Sequence, residues 1–79
     1  MTFQELHENL ARHIAKKVRR GELTERGLAR RAGISQPHLH HVLKGKRYFS
    51  LHSADLVLRE LGLTVFDLAD AGRNPGGAR

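Results

Sequence analysis

The segment Leu28 to His41, LARRAGISQPHLHH, holds two helix-forming stretches separated only by Gly33, Ile34 and Ser35. So short a link forces the two helices to cross steeply instead of lying side by side. A steep, close crossing requires a small residue at the contact, and Ala29 supplies it. The turn requires a residue that tolerates positive φ, which Gly33 does at no steric cost. It also requires an apolar plug under the corner, Ile34, and inward side chains from the second helix, Leu39 and Val42. Each slot holds the right residue type, so the segment reads as a helix-turn-helix.

Helical periodicity recurs on both sides of this motif, and almost no strand pattern is visible. Phe3, Leu6, Leu10, Ile14 and Val18 step by three and four, predicting a first helix from about Thr2 to Arg20 that Gly21 stops. Thr24 offers an N-cap to the second helix, which turns Leu28, Ala29 and Ala32 inward. Ser35 caps a third helix over residues 36–43, with Pro37 in its first turn, where a missing N–H costs nothing. Its inner face carries Leu39, Val42 and Leu43, and Gly45 ends it. Ser50 caps a fourth helix with Leu51, Ala54, Val57, Leu58 and Leu61 on one stripe, closed by Gly62. Thr64 with Asp67 forms a variant of the capping box for a short fifth helix over 65–71. The expected organisation is one all-α domain over residues 1–72, with the helix-turn-helix core at 23–68 and an N-terminal helix at 2–20. The glycine-rich remainder, 73–79, reads as a flexible tail.

A chain of 79 residues is one domain with a thin core. It has no cysteine, which removes disulfides and thiolate zinc sites from consideration. No stretch reads as a secretion signal or a membrane span, so a cytoplasmic location is expected. The charge is unevenly placed. Residues 12–47 hold eleven Lys and Arg against two Glu, a net of +9, whereas the remainder holds three basic and six acidic residues, a net of −3. A cationic block of this kind fits a polyanionic partner, although Arg-rich solvated helix faces would produce the same count.

Leu23 to Leu68 resembles the Cro/C1-type (XRE, phage-repressor-like) helix-turn-helix family. The matching residues are Leu23-Thr24, Leu28-Ala29, Gly33-Ile34-Ser35-Gln36, Leu39, Leu43 to Arg47, Leu51 and Leu61-Gly62-Leu63. The resemblance implies a compact five-helix, lambda-repressor-like DNA-binding domain whose third helix enters the major groove of double-stranded DNA. Two positions depart from the family pattern. Glu25 stands where the family usually has a phosphate-clamping Gln, and Phe49 where it commonly has Pro.

Carried onto this chain, the resemblance assigns base reading to Gln36, Pro37, His38 and His41 at the start of the third helix. A Gln amide can bridge adenine N6 and N7, Pro37 can meet a thymine methyl, and an imidazole can donate to phosphate or accept at a base edge. His40 points more to the side. Thr24, Arg26, Ser35, Lys44, Lys46 and Arg47 are the expected phosphate contacts, contributing affinity more than specificity. Arg30 could reach the backbone as well, while Arg12, Lys16 and Arg19 read as a solvated face, and His7, His13 and His52 as surface residues.

His38, His40 and His41 also admit a metal reading, but two imidazoles at helical spacing without further ligands make a weak site, so no metal is expected. No nucleophile–base spacing and no glycine-rich phosphate loop appears, so no catalytic residue and no cofactor is assigned. Leu56 and Phe66 fall out of step with the inward stripes of the last two helices, the second of which is carried by Val65 and Leu68. They are expected to form a patch that pairs two copies through the C-terminal helices, unless they pack locally against Phe3 and Leu6. The function expected is a sequence-specific transcriptional regulator, a repressor, without a small-molecule ligand domain. The alternative is a protein-interaction module, such as an antitoxin or adaptor, that binds DNA without sequence preference.

Overall fold

A computed structural model of the protein describes residues 1–71; the predicted tail at 73–79 lies outside them. Five helices follow one another: α1 (Phe3–Arg19), α2 (Glu25–Ala32), α3 (Gln36–Leu43), α4 (Leu51–Leu61) and α5 (Val65–Ala71). No strand occurs among the described residues, and the radius of gyration, 12.2 Å, is that of a compact all-helical unit.

The predicted caps are present as hydrogen bonds. Thr24 Oγ1 accepts from the Gly27 N–H at 3.0 Å, Ser35 Oγ from His38 at 3.2 Å, and Ser50 Oγ from Ser53 at 3.0 Å. Thr64 and Asp67 exchange bonds around the start of α5. Thr2, expected inside the first helix, instead caps it in a full capping box with Glu5. Each of these bonds satisfies an N–H that the helix leaves without a partner.

Between α2 and α3 the chain turns as its sequence requires. Gly33 sits at φ +76°, in the left-handed region. Its N–H donates to the Arg30 carbonyl at 3.2 Å, and the Ile34 N–H to the Ala29 carbonyl at 2.9 Å. That pair of bonds closes α2 in a Schellman motif and aims the chain directly into α3. Ala29 and Ala32 are buried on the inner side of the corner, and Ile34 packs against the core as its plug.

Leu10, Ile14, Leu28, Leu39, Val42 and Val57 form the fully buried centre, and Phe49 and Leu68 close it. Phe49, which departs from the family pattern, is thus a core residue. Three apolar positions do not join that core. Phe3, Leu51 and Val65, predicted to face inward, are 81%, 77% and 49% exposed. Each opens its helix, where the side chain overhangs the edge of a core too thin to reach it.

Two side-chain bonds pin α1 to distant parts of the chain. Asn9, the only buried polar residue among those described, donates to the Leu68 carbonyl at 2.9 Å and receives Arg12 at 3.0 Å. His7 is half-buried; its Nε2 accepts the Phe49 N–H at 2.9 Å. Both histidines of α1 thereby correct the sequence reading, because His13 too is half-buried, with its Nε2 enclosed and unpartnered. Burial pushes the His7 imidazole below its usual pKa. For His13, burial acts first and the neighbouring Lys17 and Lys16 add to it.

Candidate nucleic-acid interface

The start of α3 is where the turn delivers unpaired polar groups to solvent. Gln36, the first helical residue, is exposed, as are Ser35, Pro37 and His41. With successive residues 100° apart around the axis, Pro37, His41 and Lys44 fall along the line opposite the buried Leu39 and Val42. The Gln36 amide flanks that line. The N-terminus of a helix also presents free N–H groups and the positive end of its dipole.

The four predicted base readers are not equivalent. Gln36, Pro37 and His41 stand free, but His38 is half-buried and leans edge-on against Phe49, ring centroids 6.1 Å apart. His38, expected among the base readers, is thus less exposed than His41, its ring set against Phe49. His40, read from the sequence as lateral, is exposed and lies beside His41, with 6.1 Å between ring centroids.

Glu25 is half-buried at the start of α2. Its Oε1 lies 3.0 Å from His40 Nδ1, a bridge from α2 to α3. The pair turns the carboxylate into a strut between the two helices and engages one nitrogen of His40. Arg31 makes a comparable link to Glu60 on α4, 2.8 Å long. As exposed pairs, each is worth about 0–1 kcal/mol; they contribute more to orientation than to stability.

Along α2 and in the loop after α3, five cations are free. Arg26, Arg30, Lys44, Lys46 and Arg47 are exposed, and none of them makes an ion pair among the described residues. Thr24 and Ser35 spend their lone pairs as helix caps, which leaves each hydroxyl proton available to an outside acceptor. Gly27 protects the first of these arrangements, since a Cβ there would come within 2.9 Å of Thr24 Oγ1.

Near this face the sequence reading passed over one residue. Tyr48 is 64% exposed directly after Arg47, and its ring meets His7 edge-on at 4.8 Å. Its place beside the cationic loop was the available signal. At the other end of the fold, Phe66 is 76% exposed as predicted, whereas Leu56 is half-buried and packs against the core. The expected two-residue patch is thus reduced to Phe66.

Among the described residues, no three His, Cys, Asp or Glu side chains converge as a metal-binding set, and no helix is long and apolar enough to cross a membrane. Comparison of the chain with protein-family models, with curated proteins and with solved structures returned no match.

Proposed function

We propose that the protein is a sequence-specific DNA-binding regulator of the phage-repressor-like helix-turn-helix type, acting in the cytoplasm as a repressor without catalysis or cofactor of its own. One observation carries this reading. An exposed Gln36 opens α3 directly after a three-residue turn from α2, and Arg26 and Arg30 on α2 and Lys44, Lys46 and Arg47 after α3 are exposed and make no ion pair among the described residues. α3 lies in the major groove, where the Gln36 amide bridges an adenine edge and His41 and Pro37 meet neighbouring bases. Thr24, Arg26, Ser35, Lys44, Lys46 and Arg47 hold the flanking phosphates and fix the register. His38 supports this surface from beneath through Phe49. Two copies pair through the C-terminal helices around Phe66 and read half-sites about 34 Å apart.

Selection from a random duplex library tests this reading. One enriched, two-fold symmetric motif is the expected result. Binding that is salt-sensitive but blind to sequence would instead favour an interaction module with an incidental affinity for polyanions.

A further inference from the structure

Beginning at Tyr48, where the cationic loop ends, a groove of about 350 Å³ lies between the start of α1, the 48–51 segment and the α4–α5 pair. Leu6 and Phe49 lie in its floor, and Phe3, Tyr48, Leu51 and Val65 stand around it. These last four account for most of the large apolar side chains that the described fold leaves in water. Helix-opening apolar residues that overhang a core without entering it form walls, and a wall around an apolar floor is a surface built for a visitor.

The charges at this end select the visitor. On the segments that form the groove, 3–10, 48–58 and 65–71, every Asp, Glu, Lys or Arg is a carboxylate: Glu5, Glu8, Asp55, Asp67 and Asp70. Asp55 lines the groove itself. Nucleic acid and anionic lipid are repelled there. A second copy docking by the same face would bring like charges together. A compact apolar ligand is disfavoured because binding sites for such molecules enclose most of the ligand surface, whereas Phe3, Tyr48 and Leu51 around this groove are themselves 64–81% exposed. What fits is an elongated apolar edge with positive flanks.

We infer that the groove receives a cationic amphipathic helix from a partner protein, whose apolar side chains at i, i+3 or i+4 and i+7 lie against Leu6 and Phe49 between Phe3, Leu51 and Val65. A Lys or Arg of that helix meets Asp55, the carboxylate that lines the groove. This inference does not rest on DNA reading by α3, because no residue assigned to a base or a phosphate lines the groove.

The chain's single Tyr is Tyr48 at the groove, and it has no Trp, so intrinsic fluorescence reports on this site directly. The probe is a synthetic Leu/Lys peptide of about fifteen residues with Leu at helical spacing, free of Tyr and Trp. A Leu/Glu peptide of the same pattern is the control. The expected result is saturable Tyr48 quenching or enhancement by the Leu/Lys peptide, with affinity about tenfold or more above that of the control. The double variant Phe3→Ser, Leu51→Ser removes only exposed side chains and keeps the fold by far-UV circular dichroism, yet weakens the peptide about tenfold. Asp55→Lys weakens the Leu/Lys peptide and strengthens the Leu/Glu one. Equal affinity for both peptides, absence of saturable binding, or indifference to the double variant overturns the inference. So does concentration-dependent self-association that the double variant abolishes, since a second copy would then cover the groove.

Discussion

Replacing Gly33 by Ala isolates the one backbone conformation on which the turn between α2 and α3 depends. Gly33 lies at φ +76° and ψ +31°, and a Cβ built there meets no heavy atom within 4 Å. The substitution therefore carries no steric collision, only the cost of holding an L-residue in the left-handed region. That cost is about 1–2 kcal/mol. It is offset by about 0.4–1 kcal/mol because Ala stiffens the unfolded chain. The net loss is about 1 kcal/mol, which in a domain of this length lowers Tm by about 4–8 °C. Gly33→Asn loses less, since Asn tolerates this region better. Thermal and urea unfolding followed by far-UV circular dichroism gives both numbers, with the urea m-value unchanged. An Ala variant more stable than the parent would mean that the turn is not held left-handed. A loss of several kcal/mol, or an Asn variant worse than Ala, would refute the absence of a steric contribution.

Leu39 is fully buried on the inner face of α3, so Leu39→Ala costs about 2–5 kcal/mol; a urea-derived loss under about 1 kcal/mol would contradict its place in the core. Stability should fall with acidification. The folded pKa values of His7 and His13 lie below the ordinary value of 6.5, so the unfolded chain binds more protons through that range. Their contribution is complete above pH 6.5 and is lost as pH falls from there toward the depressed folded values. Urea titrations at successive pH values measure the slope, and His7→Gln should flatten it. Lys46→Ala and Arg47→Ala should each reduce the dependence of log K on log salt by about one while preserving the order of preferred sequences.

The backbone plan was legible because its punctuation is local. Thr24, Ser35 and Ser50 cap helices through bonds to residues three positions on, and Gly33 closes its helix with bonds to residues of the preceding turn. The interior of each apolar stripe was equally plain, since Leu10, Ile14, Leu28, Leu39 and Val57 recur at the helical period and are buried. Periodicity names a face, however, and not how far the core extends along it. Phe3, Leu51 and Val65 fall on inward stripes and still emerge into water. The roles of His7 and Asn9 left no trace in their neighbourhoods, because their partners lie 42 and 59 positions away in the chain. In the candidate site, the exposure of Gln36, Pro37 and His41 followed from the burial of Leu39 and Val42. His38 did not follow, since its inclination depends on Phe49 in a loop whose path helix periodicity does not describe. The free cations were apparent from the scarcity of acids between residues 12 and 47, but which acids engage which cations was a matter of tertiary geometry.

Affinity of the Gln36→Ala protein for a selected duplex and for its single-base variants bears most directly on the assignment of α3 as the reading element. Discrimination at one base position should fall by about 1–3 kcal/mol, roughly five- to 150-fold, while affinity for unrelated duplex is nearly unchanged. Equal weakening toward every sequence, or discrimination retained at every position, would contradict that assignment.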